Sequence, residues 1–325
     1  MKIMKTVQKF PGGLMVIPLL LACVINTIAP QALQIGGFTS GLLSSAGVKT
    51  FVGLFLFVSG ATINIKQVGV PVYKGAVLTV SKVGIGLLLG VLLGKVFGPW
   101  GVLGITPLAV MAALANCNSV MYAILAGQVG DSTDVGAVSV LGLDDGPFFT
   151  MMALGAAGMA TIPMMDMVAV VVPLLLGLIL GNLDEEIRDL CEKGTPLVIP
   201  FNGFVLGAGM NLRDVVKAGV PGVILGLVSL IVTGFFCYWV YNLFFGRKKK
   251  TAVGFGVGNT AGNAVVTPNA IGQSDPMWAP YAAGATAQAA AACVVTSILC
   301  PLVTTYLHKR IQKKEAEKLA RTIAG

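Results

Sequence analysis

The sequence predicts an all-α polytopic membrane protein. Ten transmembrane helices form two inverted five-helix repeats, and spans 4 and 9 are broken, crossing helices. Three observations predict it. The 325 residues are 55% hydrophobic and 11% charged, against roughly 25% charged in a soluble domain. Apolar stretches of about 20 residues, enough to cross a bilayer, are interrupted by glycine and proline rather than by charge. The third observation is an order of markers that the two halves share. Asn64-Ile65-Lys66 follows Gly60-Ala61, as Asn211-Leu212-Arg213 follows Gly207-Ala208, and Pro71 or Pro221 then opens the next long span. Asn118 and Asn263 lie 145 residues apart, as do Gly127-Gln128 and Gly272-Gln273. Five spans per repeat is an odd number, so the second copy enters the membrane the other way up, giving repeats 1–160 and 161–325. Chance likeness between Gly-rich apolar segments is the alternative.

Hydropathy places the spans at 13–30, 46–63, 72–94, 105–128, 143–160, 164–182, 196–211, 219–243, 253–272 and 281–307. The segments near 46, 143, 196 and 253 are weak, so seven or eight full spans with re-entrant pieces is the competing count. Lys2, Lys5 and Lys9 before span 1 resemble the basic start of a signal peptide, but no small-residue cleavage site follows. Short-loop charges orient the chain. Lys66, Lys74, Arg188, Lys193, the run Arg247-Lys248-Lys249-Lys250 and the tail His308-Lys309-Arg310 fall on one side, which is the cytoplasmic one. Lys95, Arg213 and Lys217 fall on the other, and the acidic turn with Asp131 and Asp134 adds nothing. An even count of spans leaves both termini in the cytoplasm. The net charge of +8 therefore speaks to topology and anionic lipid rather than to nucleic acid. The six cysteines form no CxxC pair and read as small packing residues, not metal ligands or disulfides. His308 is expected at the membrane interface.

Polar residues inside the spans carry the functional expectations. Span 3 holds Lys82 within an apolar run from Ala76 to Val96. An ionisable group at such depth costs at least a few kcal/mol and is read as functional; snorkelling to the headgroups is the alternative. Gly86, Gly90, Gly94 and Gly98 repeat every four residues, a smooth stripe for close helix crossing. Span 4 has Asn116, Asn118 and Ser119 at its middle, and span 9 has Asn259, Thr260 and Asn263 among glycines. Such segments unwind only where protein or a water-filled cavity satisfies their backbone. Each break exposes a helix N-terminus that favours an anion. These six residues are expected to line one central site, against a reading of them as interhelical polar glue. Asp144 and Asp145 open span 5 and are the acidic pair expected to take up a coupling proton, adjacent like charges disfavouring double ionisation. A plain helix start before Pro147 is the alternative. Asp166, opening span 6, reads as interfacial. Gln288 lies on the small-residue face of span 10, either completing the site or joining helices. No nucleotide loop, zinc motif or serine elbow occurs, so no cofactor and no metal are expected.

The strings VQKFPGGLMVIPLLLACVINTIAP, FLFVSGATIN, LGLDDGPFFTMMALG and VGNTAGNAVVTPNAIG resemble the 2-keto-3-deoxygluconate permease family of bacterial inner-membrane carriers, over nearly the whole chain. That resemblance implies proton-coupled import of 2-keto-3-deoxygluconate, with an anionic sugar acid, protons and lipid as partners. The fold relatives of that family are similar to the bile acid:sodium symporters. They imply a panel of spans 1, 2, 6 and 7 and a core of spans 3–5 and 8–10, with Asn116, Asn118, Asn259 and Asn263 at the crossover. The expected mechanism follows. The substrate carboxylate meets broken-helix N–H groups, asparagine amides and Lys82, its hydroxyls bond Ser119, Thr260 or Gln288, and a proton neutralises Asp144 or Asp145. The core then moves against the panel. The rivals are a sodium-coupled symporter of another organic carboxylate, a channel, and a membrane enzyme acting on a lipid-linked acid.

Overall fold

The computed structural model describes residues 3–8, 13–65, 69–142, 146–246 and 250–324. Their regular structure is helical, apart from one isolated bridge between Val102 and Ile105. The first half runs α1 (Ile3–Gln8), α2 (Gly13–Ile28), α3 (Gly37–Leu43), α4 (Val48–Thr62) and α5 (Val70–Phe97). It continues through α6 (Pro107–Ala115), α7 (Ser119–Val129), α8 (Ser132–Gly136), α9 (Val138–Leu141) and α10 (Phe148–Ala156). The second half runs α11 (Met164–Leu183), α12 (Glu185–Gly207), α13 (Leu212–Phe245), α14 (Val266–Ser274) and α15 (Ala279–Ala324). Two 3-10 turns, Val253–Val257 and Gly262–Val265, precede α14.

Among the described residues, five helices are long and apolar enough to cross a membrane, within Ser45–Thr62, Val70–Phe97, Met164–Leu183, Val216–Phe245 and Ala279–Glu317. They present apolar side chains outward. On α11, Leu175, Leu176, Ile179 and Leu183 are all exposed, a patch that water disfavours and hydrocarbon accepts. The protein is a polytopic membrane protein.

Local chemistry sets the helix ends. Thr106 caps α6, its Oγ1 accepting from the Ala109 amide, and Pro107 stands at the first helical position. Asn118, Asp184 and Asn211 cap α7, α12 and α13 in the same way. Asp131 and Asp134 form a capping box on α8. Past α5, Gly98 takes a φ of 70°, a conformation that a side chain would strain.

Four helices pack as two reciprocal pairs. Gly203 and Gly207 of α12 lie against the carbonyls of Met15 and Leu19 of α2, so closely that a Cβ at either would overlap the carbonyl oxygen. Gly177 and Gly181 of α11 lie in the same way on the carbonyls of Phe57 and Ala61 of α4, and Gly60 returns the contact to Leu174. Each glycine pair is spaced by four residues and meets carbonyls spaced by four, the small-residue geometry of close helix crossing. The other bundle is built on α5, α13 and α15. Gly86 and Gly90 are buried on α5 and admit α6 at Leu114–Ala115 and Met111, and Gly94 meets Met159 and Pro107, so three members of the expected stripe make close contacts; the fourth, Gly98, lies past the helix in open space, as Gly84 does on it. Gly222 and Gly226 of α13 admit α15 at Ala291 and Val295.

Candidate functional site

The two polar segments do break, and they touch. Between α6 and α7 the backbone is extended at Asn116 and Asn118. Between the two 3-10 turns, residues 258–261 form no helix. The Asn118 amide donates to Asn259 Oδ1 at 2.6 Å, and the Ala261 amide donates to the Asn116 carbonyl at 3.3 Å. Thr260 Oγ1 donates to the Ala113 carbonyl at 2.9 Å, one of those that the end of α6 leaves without a helical partner. The Thr260 amide donates in turn to Thr296 Oγ1 of α15, at 2.8 Å. Two strands of irregular backbone thus satisfy one another in the interior, the condition under which such backbone survives within a membrane.

The asparagines hold this crossing in shape. Asn259 is fully buried and bridges both breaks, its Nδ2 donating to the Gly256 carbonyl at 2.7 Å. Asn116 Nδ2 donates back to the Ala112 carbonyl, while its Oδ1 accepts from the Gly146 amide at 3.3 Å. Asn118 Oδ1 caps α7 through the Met121 amide. Ser119 follows at the first position of α7, its Oγ buried and without a hydrogen-bond partner. Asn263 belongs to the 3-10 turn Gly262–Val265.

Lys82 is 0% exposed. Its Nζ donates to the carbonyls of Val257 and Asn259, each at 2.7 Å. A lysine from the first half therefore grips the break in the second, rather than reaching toward a membrane surface. Ser229 of α13 does the converse, donating to the Ala113 carbonyl of the first break at 3.3 Å. Its oxygen lies 3.2 Å from that of Thr260, the two hydroxyls meeting at the same carbonyl. The carbonyls of Phe255 and Gly256 face the Cys300 thiol, at 3.6 Å each. All six cysteines are buried, in keeping with their reading as packing residues.

Of the expected site residues, Asn116, Asn118, Ser119, Asn259, Thr260 and Lys82 converge. Gln288 stands elsewhere. It lies eight residues before Thr296 on α15, about 12 Å along the helix, and its Nε2 donates to the Gly104 carbonyl at 2.6 Å. Its Oε1 is buried without a partner. Asp144 and Asp145 lie outside the described residues.

Two features escape a sequence reading. Asn202 on α12 is 1% exposed, and both polar atoms of its side chain lack a partner, a state that costs about 1–3 kcal/mol per group. Its neighbour Gly203 packs on Met15, whose side chain also meets Gly262 of the second break. The only sequence signal is an amide in a helix with two internal prolines, Pro196 and Pro200. The second feature is an ion cluster where α5 begins and α13 ends. Lys74, 7% exposed, donates to Asp134 at 2.5 Å and to Thr133 at 2.8 Å, with Asp131 at 3.4 Å. Tyr241 donates to Asp134, and Tyr122 donates to the Asp134 carbonyl at 3.0 Å. The Asp131 carboxyl, accepting from the Thr133 hydroxyl and facing Lys74, is lowered to about 2. A cavity of about 570 Å³ adjoins this cluster, lined also by Lys250, His308 and Glu315. The acidic turn that adds nothing to a count of positive charges is thus the partner of one of them. The D-S-T-D string was the available signal, as a capping box.

The comparisons with known proteins extend over almost the whole chain. A family model described as 2-keto-3-deoxygluconate permease matches residues 4–313. The chain is 46% identical over 310 residues to 2-keto-3-deoxygluconate permease 1 of Salmonella typhimurium, covering 95% of this chain and 96% of that one. It is 36% identical over 321 residues to the 2-keto-3-deoxygluconate permease of Bacillus subtilis, with 97% and 96% covered. The corresponding permease of Xanthomonas axonopodis pv. citri is 37% identical over 316 residues, with 95% and 98% covered.

Proposed function

The chain belongs to the 2-keto-3-deoxygluconate permease family, and from that premise we propose that it imports 2-keto-3-deoxygluconate by proton symport across the bacterial inner membrane. The observation that carries the reading is the crossing of two broken helices in a buried, polar centre. A channel needs a continuous path; a crossing of half-helices suits a carrier that binds at the middle and exposes each side in turn.

In this reading the molecule has ten spans in two inverted repeats, with both termini cytoplasmic. The reciprocal pairs α2–α12 and α4–α11 support the symmetry, because an inverted repeat exchanges span 1 with 6 and span 2 with 7, and so turns one pair into the other. They form the panel. Spans 3–5 and 8–10 form the core that moves against it, with the substrate between Asn202 and the crossover.

The substrate carries one carboxylate and several hydroxyls. Its carboxylate is met by the N–H groups that open α7, while Lys82, fully buried behind the break, holds the carbonyls that shape the site. The hydroxyls are met by Asn118, Ser119, Asn263 and Asn202. Among these, Ser119 and Asn202 hold buried polar atoms still without partners, and a polyhydroxy ligand satisfies them. Asn116, Asn259 and Thr260 shape the site through the backbone they hold, and Gln288 lines the approach near Gly104. Asp144 or Asp145 takes the coupling proton.

The test is 2-keto-3-deoxygluconate uptake in proteoliposomes, under an inward proton gradient and then under sodium alone. Accumulation that an uncoupler abolishes supports proton symport. Accumulation driven only by sodium replaces it with a sodium symporter. Absence of saturable uptake and of counterflow by folded protein sinks the substrate, and chemical conversion of the sugar acid would make the protein an enzyme.

A further inference from the structure

We propose that Lys82 is a tethered cation, occupying in the second break the place of a free monovalent ion and relieving the carrier of any need for one. The inference rests on the transport reading above and concerns how its central site is held.

The break leaves backbone carbonyls without helical partners. Irregular backbone of this kind binds cations in membrane proteins, several carbonyl oxygens replacing the hydration shell. Here the Val257 and Asn259 carbonyls converge on one point, and the group at that point is the Lys82 ammonium, 2.7 Å from each. Among the described residues, its surroundings supply no other charge. Of the elements packed against α5, α6, α9, α10 and the turn Val253–Val257 carry no ionisable side chain. α8 brings Asp134, and α13 carries Cys237, Tyr238 and Tyr241 toward its C-terminal end and Arg213, Asp214 and Lys217 in its first turns; Asp134 and Tyr241 are engaged with Lys74 and each other. The Cys300 thiol of α15 faces the neighbouring carbonyls of Phe255 and Gly256. Asp131 and Tyr122 belong to the Lys74 cluster, and among the described residues no carboxylate forms an ion pair with Lys82. An ion pair would need a charged partner; a carbonyl pair is what a bound cation takes. Because α5 belongs to the first half and the carbonyls to the second, this cation also ties the halves together at their crossing. Lys82 is therefore a positioning residue.

Two variants separate charge from bulk. Lys82→Ala leaves room at the carbonyls, whereas Lys82→Met fills the volume without charge. In proteoliposomes loaded with choline salts, 2-keto-3-deoxygluconate counterflow is expected to fall about tenfold or more in both, as buried carbonyls lose their partner. Ammonium or methylammonium is expected to restore Lys82→Ala several-fold and to leave Lys82→Met unchanged. Ammonium should likewise raise the apparent melting temperature of Lys82→Ala but not of the wild type. Equal restoration of both variants, no restoration of folded Lys82→Ala, or wild-type rates for Lys82→Ala in choline would each overturn the proposal. The wild type supplies a measurement independent of any variant. Its proton-driven uptake is expected to be unchanged when sodium and potassium are replaced by choline, and a requirement for either ion overturns the inference. Failure of wild-type counterflow strikes the transport reading instead, so the two failures are distinguishable.

Discussion

At the scale of single residues, Asn259 bears the most on the site. One side chain accepts from the backbone of the first break and donates to the backbone of the second. Asn259→Ala strands the Asn118 amide and the Gly256 carbonyl in the interior, at about 1–3 kcal/mol each. The apparent melting temperature in detergent should fall by about 5 °C or more, and counterflow should be lost with it. Asn259→Asp keeps the acceptor but faces a carboxylate oxygen toward the Gly256 carbonyl, so it should be no better. Asp131 gives a prediction of opposite character. Its carboxyl is depressed to about 2, below the ordinary value of about 3.9, so the ionised form is favoured by folding. That contribution is complete above the ordinary carboxylate range and disappears as pH falls toward 2. Asp131 is largely exposed, so water screens the effect. Between pH 5 and 8, thermal scans of Asp131→Asn and wild type should therefore run parallel, and they should converge only in strong acid.

At the scale of elements, the glycine contacts decide how helices meet. A Cβ at Gly177 would overlap the Phe57 carbonyl, whereas one at Gly84 meets nothing. Gly177→Ala is expected to push α11 off α4 and lower the melting temperature. Gly84→Ala should be neutral or slightly stabilising, alanine favouring a helix over glycine by up to about 1 kcal/mol. Equal effects of the two would contradict the packing. The positions of the elements were largely legible beforehand. The run at 72–94 is α5, the run at 164–182 is α11, and the asparagine-rich centres of the segments at 105–128 and 253–272 are breaks. Their ends were less so. Helix α12 starts at Glu185 rather than near 196, because its first turns read EEIRDLCEK, which hydropathy scores as loop though Asp184 caps it well. Helix α15 likewise continues to Ala324, through a charged stretch beyond the apolar run. The site was legible as a set of side chains but not as a set of bonds. The partners of Lys82 are main-chain carbonyls, which every residue possesses and no sequence marks.

At the scale of the whole molecule, the proposed topology has a direct test. Reporter fusions at the two termini should both be active on the cytoplasmic side, and a fusion near Trp100 on the periplasmic side. Termini on opposite faces would require an odd number of spans and remove the inverted repeat. Within the proposed repeat, the two halves differ at the centre. Ser229 follows Lys82 by 147 residues, the offset that also separates Asn64 from Asn211. Each donates to a carbonyl at the break of the opposite half. One is an ammonium and the other a hydroxyl. A gene encoding a single half, assembling with its own copy, would bring two positive charges to the crossing or none. Joining the halves in one reading frame sets the number at one, and it closes the evolutionary route back to a dimer of identical parts.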